Sequence, residues 1–202
     1  MSSFVSLEKH TLSAQQQLLL NSLDQFYGKT KIDTILPILQ GTTKLSLRII
    51  DWFVTNYSKK NNTSYVINKT KNGKDVQENF IVHLRYKDQL KAYSKKQFDP
   101  FCRRERIQYK FNDQGNYLLT TVGQLNFFRW ALENNVIDFI RENIKIIDKD
   151  MNTNIRKHYK SKKKTKSPSG KKNTERRKRR ELSTSATKSL TRHAVNIVLD
   201  FD

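Results

Sequence analysis

An α+β domain followed by a disordered basic C-terminal arm is the fold class this sequence predicts, and three observations predict it. Helix-period apolar patterns occur at both ends of the first 150 or so residues. Two alternating segments with hairpin turn signals lie between them. Residues 156–180 then hold fourteen Lys or Arg and one acid, Glu175, a net +13 out of the chain's +20. Divided accordingly, residues 1–152 are expected to form the folded domain, 153–186 the arm, and 187–202 a strand or docking peptide. The helices are expected to pack on a small antiparallel sheet made from the two hairpins.

The first helix is predicted over 13–27. Ser13 supplies a capping oxygen, Leu18, Leu19, Leu20, Leu23 and Phe26 form a broad apolar face, and Gly28 is the stop. A second is predicted over 43–58, where Leu45, Ile49, Trp52, Phe53 and Tyr57 recur at three- and four-residue steps. Segments 64–68 and 78–86 flank Asn72-Gly73, a dipeptide suited to the positive φ angles of a tight hairpin turn. Phe80, Val82, Leu84 and Tyr86 alternate there with Ile81, His83 and Arg85.

Residues 87–96 stay open between a short helix and a loop, closed by Asp99-Pro100, because the residue before proline avoids the helical region. A second hairpin is predicted from 106–111 and 117–120 around Asn112-Asp113-Gln114-Gly115. Segments 122–132 and 135–147 read as one broken helix or two, kinked at Asn134-Asn135, with Leu125, Phe128, Trp130, Leu132, Val136, Ile137, Phe139 and Ile140 as buried residues. Near the end, Val195, Ile197, Leu199 and Phe201 alternate as in a strand.

Charge narrows the partners. The 202 residues carry 39 Lys plus Arg against 19 Asp plus Glu, with a pI near 10.0, a field that attracts nucleic acid or an anionic membrane surface. No apolar run approaches the roughly 18 to 20 residues of a spanning helix, so membrane insertion is not expected. The start, Met1-Ser2-Ser3-Phe4, lacks a secretory pattern, and the single cysteine, Cys102, has no internal disulfide partner. A cytosolic, nuclear or particle-enclosed setting is expected rather than secretion.

The arm carries the chemistry. Lys162, Lys163, Lys164, Lys166, Lys171, Lys172, Arg176, Arg177, Lys178, Arg179 and Arg180 are the expected nucleic-acid-binding residues, since each cation that neutralises a phosphate releases counterions. Lys95, Lys96, Arg103 and Arg104 form a second expected surface, interleaved with Tyr93, Phe98 and Phe101. Two readings of those aromatics stay open: base-stacking platforms, or core residues beneath a solvated cationic face, which aromatic burial favours. Binding to DNA or RNA is expected to be largely independent of sequence. In the rival reading the arm is only a nuclear-localisation signal on a protein-interaction module or transcription accessory, with protein partners. The oligomeric state stays open.

An enzyme is not expected. Cys102 lies beside Arg103 and Arg104, but His83 is the one histidine expected in the core and no orienting carboxylate stands out. Four widely spaced histidines give no zinc pattern, and six glycines form no phosphate loop, so no metal and no cofactor are expected. Asp148 and Asp150 read as an isolated, solvated or capping pair.

Three stretches carry a resemblance. They are 47–61, with Asp51-Trp52-Phe53 at its centre; Phe98-Asp99-Pro100-Phe101-Cys102-Arg103-Arg104-Glu105-Arg106-Ile107; and Thr120-Thr121-Val122-Gly123-Gln124-Leu125-Asn126-Phe127-Phe128-Arg129-Trp130. Together they resemble a family of short proteins from nucleocytoplasmic large DNA viruses, over roughly residues 40–150. The family has no established activity, so the resemblance implies a viral setting and transfers no catalytic residue. In that setting the arm would compact the genome in the virion, organise nucleic acid in the viral factory, or assist transcription.

Overall fold

Helix α1 (Ala14–Phe26) begins at a reciprocal cap. The Ser13 hydroxyl accepts from the Gln16 amide, and the Gln16 side chain accepts from the Ser13 amide. In this computed structural model, which describes residues 4–6, 12–71, 73–103, 105–111 and 116–164, α1 buries Leu20 and Leu23 and leaves Leu18 in solvent. Helix α2 (Lys29–Leu39) follows and is absent from the sequence reading. Ile32, Ile35 and Ile38 are buried at helical steps, but Pro37, a residue that normally interrupts a helix interior, disguises them.

The predicted second helix is one rod in three parts: α3 (Leu47–Trp52), a π-helical turn (Phe53–Tyr57) and α4 (Ser58–Lys60). Ser46 caps it, its hydroxyl accepting from the Ile49 amide at 3.3 Å. Ile49, Ile50, Phe53, Val54 and Ser58 are all buried along it, and the wider π turn changes the angular step of the residues after Phe53.

Strands β2 (Ser64–Lys71) and β3 (Lys74–Ile81) pair antiparallel with Lys71 opposite Lys74, the two-residue connection that Asn72-Gly73 announces. Gly73 takes the positive φ of 74°. Beyond Ile81 the strand expectation is corrected: residues 82–86 open helix α5 (Val82–Gln97), which also absorbs the open segment 87–96. The alternation at 80–86 fits both periods. What decides is Leu84, buried in a strand reading and in fact 46% exposed, while Val82, Tyr86, Leu90 and Tyr93 face the core at helical steps. Near its end α5 kinks at Ser94 (φ 58°, ψ 168°).

Strands β4 (Ile107–Lys110) and β5 (Tyr117–Thr120) form the second predicted hairpin, with Ile107 opposite Thr120. A short N-terminal strand, β1 (Phe4–Ser6), adds to β4 and gives the order β1-β4-β5. The two hairpins therefore do not share a sheet as expected; each belongs to its own. The class is nevertheless α+β, as predicted.

Helix α6 (Val122–Glu133) is buried over nearly its whole length. The predicted break comes at Asn134-Asn135: Asn135 adopts φ 54°, a left-handed conformation that asparagine tolerates. Asn134 donates to the Trp130 carbonyl at 2.7 Å. Helix α7 (Val136–Lys164) then continues past residue 152, so its end lies inside the segment assigned to the arm. Met151 and Ile155 extend the helical spacing of Ile147, and cations near a helix C-terminus are favoured by its dipole. The remainder of the arm and the predicted strand over 187–202 lie outside the described residues.

The core is aromatic at its centre. Phe98 lies within 5.3 to 5.9 Å, centroid to centroid, of Tyr86, Phe127 and Trp130, and Tyr65 stacks on Phe139 at 4.9 Å. Among the described residues, no helix is long and apolar enough to cross a membrane.

Candidate nucleic-acid interface

The start of α6 clamps the segment between α5 and β4. The Thr121 hydroxyl caps α6 by accepting from the Gln124 amide at 3.0 Å, which points the next turn at residues 96–101. Gln124 donates to the Pro100 carbonyl and accepts from Thr120, both at 2.8 Å, and Asn126 donates to the Gln97 carbonyl at 2.9 Å. The Asp99 amide donates to the Gly123 carbonyl at 3.2 Å. Gly123 is required here, because a Cβ would stand 2.8 Å from the Lys96 carbonyl oxygen. Two of the stretches that carry the resemblance, 98–107 and 120–130, are thus one packed unit.

This clamp decides between the two readings of the aromatics. Phe98 and Phe101 are 1% and 2% exposed, and Tyr93 packs against the core, so they are structural rather than a stacking platform. Of the second expected surface, Lys95 and Lys96 are exposed beyond the Ser94 kink. Arg103 is engaged within the loop: its guanidinium donates to both Asp99 carboxylate oxygens at 3.1 and 3.0 Å and lies 4.5 Å over the Phe101 ring. Arg104 lies outside the described residues.

Of the principal expected residues, Lys162, Lys163 and Lys164 occupy the last turn of α7, with side chains outside the described set. Lys166, Lys171, Lys172, Arg176, Arg177, Lys178, Arg179 and Arg180 lie outside the described residues altogether. The structure adds cations that the sequence reading leaves out. Lys145, Lys149, Arg156 and Lys157 are exposed on α7 and make no ion pair among the described residues. From Met151 to Lys164 the helix contains no Asp or Glu. Lys145 falls within the helix predicted over 135–147, while Lys149, Arg156 and Lys157 lie beyond it, where few apolar residues mark the helix.

Asp150 anchors this helix. Its carboxylate accepts from Trp52 Nε1 at 3.0 Å and from Lys60 Nζ at 2.5 Å, so it is neither isolated nor a simple cap. Burial pushes its pKa up, but the bonds from Lys60 and Trp52 and the Lys60 charge outweigh this and hold it below the usual carboxylate value. Cys102 moves the other way. Burial raises its thiol pKa, outweighing nearby Arg106, with Asp99 adding to the rise, the reverse of what an activated nucleophile needs.

An uncharacterized protein of Acanthamoeba polyphaga mimivirus is 45% identical to this chain over 133 residues, which are 64% of the chain and 50% of that relative. The chain thus spans about half the length of the curated relative it matches. The kinship with giant-virus proteins expected from the sequence is borne out. No solved structure matches. The chain belongs to a family of unknown function, DUF7197, whose model matches residues 4–202.

Proposed function

We propose that this protein is a non-enzymatic nucleic-acid-binding protein of a large DNA virus, holding DNA or RNA with little sequence preference through its cationic arm. Its place in this reading is the virion or the viral factory, where it packages or organises the genome. One observation carries it: fourteen Lys or Arg against a single acid between 156 and 180, a charge density whose natural partner is a polyphosphate. Exposed cations on α7, with no ion pair among the described residues, support it, because they carry positive charge along the helix toward the arm.

The test compares the full chain with a variant whose eleven arm cations from Lys162 to Arg180 are replaced by Gln, titrated against duplex DNA, single-stranded DNA and RNA. Loss of most affinity in the variant supports the reading; unchanged binding moves the site into the folded domain. A second reading, a protein-interaction module whose arm is an import signal, is favoured by Tyr117 and Leu119, which are 53% and 49% exposed on the outermost strand of the β1-β4-β5 sheet. Nuclear import of a neutral reporter fused to the arm, without retention on nucleic acid, would favour that alternative.

A further inference from the structure

Helix α7 has two contrasting sides. Ile140, Ile144, Ile147, Met151 and Ile155 pack on the core at steps of four, three, four and four. Roughly opposite, Lys145, Lys149, Asn152 and Arg156 recur at steps of four, three and four, all of them exposed. The helical backbone carries that row on to positions 160 and 163, both lysine. The same side begins acidic, at Asp138 and Glu142, and ends cationic. Asp148 and Asp150 flank the row, and Asp150 is already held by Trp52 and Lys60. From 145 to 163 the row is about 27 Å long at about 1.5 Å per residue, or roughly eight base-pair steps of about 3.4 Å.

We propose that this face of α7 seats duplex DNA, the helix lying along the major groove with Lys145, Lys149 and Arg156 directed to flanking phosphates. The proposal rests on the nucleic-acid-binding reading above and narrows it to one polymer. Two physical arguments select that polymer, and a third favours the helix as its seat. A helix about 10 to 12 Å across enters the major groove of B-form DNA, about 12 Å wide, whereas the deep, narrow major groove of A-form RNA does not admit it. Single strands are held chiefly by aromatic platforms, and the exposed row from Lys145 to Arg156 contains no aromatic. A helix already ordered against the core also surrenders less conformational entropy on binding than a free segment does.

The test uses the full chain, titrated by fluorescence anisotropy against duplex DNA, duplex RNA and single-stranded DNA of equal length across a salt series. The variant Lys145→Gln/Lys149→Gln/Arg156→Gln leaves the arm intact. It should make the duplex-DNA salt slope shallower by about 3, at about 0.9 per phosphate contact, while single-strand and RNA binding change little. A second variant, His158→Pro, keeps the net charge but breaks the helix below position 160, and should reduce duplex-DNA affinity selectively. Far-UV circular dichroism and urea midpoints verify that both variants fold. A duplex-DNA slope unmoved by the triple variant, or equal losses on all three polymers, overturns the proposal and leaves the arm reading standing. Failure of the unmodified chain to bind any nucleic acid removes that reading, and this proposal with it.

Discussion

Trp52 Nε1 donates to one carboxylate oxygen of Asp150 at 3.0 Å while Lys60 Nζ holds the other at 2.5 Å, so the π-turned helical rod and α7 are pinned together at one residue. The pin sits beside the root of the cationic segment. It joins two residues of the first resembling stretch to one of the two acids that sequence alone leaves unexplained.

Replacing Asp150 by Asn should therefore destabilise the fold by about 1 to 2 kcal/mol at neutral pH, discounted for the exposure of Lys60. The pH dependence follows from the lowered folded-state pKa of Asp150. The stabilisation is fully present above the ordinary carboxylate value of the unfolded chain and is lost as pH falls through the lower folded value. Urea unfolding of both proteins at pH 7 and at progressively lower pH should show the gap closing on the acid side. A gap that widens there contradicts the assignment.

Gly123→Ala should cost about 1 to 3 kcal/mol, because its Cβ would lie 2.8 Å from the Lys96 carbonyl and 3.2 Å from the Gln97 carbonyl carbon, both of them backbone atoms. The urea midpoint measures it. A neutral substitution would mean that the 96–101 segment shifts freely and that the clamp of Gln124 and Asn126 does not fix it.

Ser94→Gly should do the opposite. At φ 58° and ψ 168° a serine occupies backbone space that only glycine visits freely, a strain of about 1 to 3 kcal/mol. Glycine's greater unfolded-state entropy takes back about 0.5 to 1 kcal/mol. A net gain of about 1 kcal/mol is expected in thermal or urea unfolding, and a loss would show that the kink is relaxed.

Cys102 should alkylate slowly with iodoacetamide at pH 8 in the native protein and at the rate of a free thiol once unfolded, since its pKa is raised chiefly by burial. Native reactivity exceeding that of a free thiol would contradict the raised pKa.

Much of this fold is legible from local chemistry. Ser13 with Gln16 announces α1, Asn72-Gly73 announces the first hairpin, and Asn134-Asn135 marks the break between α6 and α7, because caps and turns are decided by a few neighbouring residues. What escapes local reading depends on tertiary contact. The change from strand to helix at Val82 is hidden by a sequence that fits both periods until the exposure of Leu84 is known. The two sheets look like one because pairing partners are not written in either hairpin, and β1 pairs with β4 across about a hundred residues.

The interface divides in the same way. The charge of the arm can be counted directly, and the aromatics beside Lys95 and Lys96 are correctly favoured as core. By contrast, the capture of Arg103 by Asp99 and the row of Lys145, Lys149 and Arg156 emerge only when the loop and the length of α7 are known. Past Met151 the sequence has few apolar residues to signal a helix, and its cations read as unstructured charge.

The most direct measurement of the central claim is the slope of log K against log salt for the full chain on duplex DNA. Neutralisation of most of the cations from Lys162 to Arg180 by phosphates should give a slope between about −5 and −10, at about −0.9 per contact. A slope shallower than about −2, or the absence of binding at low salt, would contradict an arm-driven nucleic-acid-binding protein.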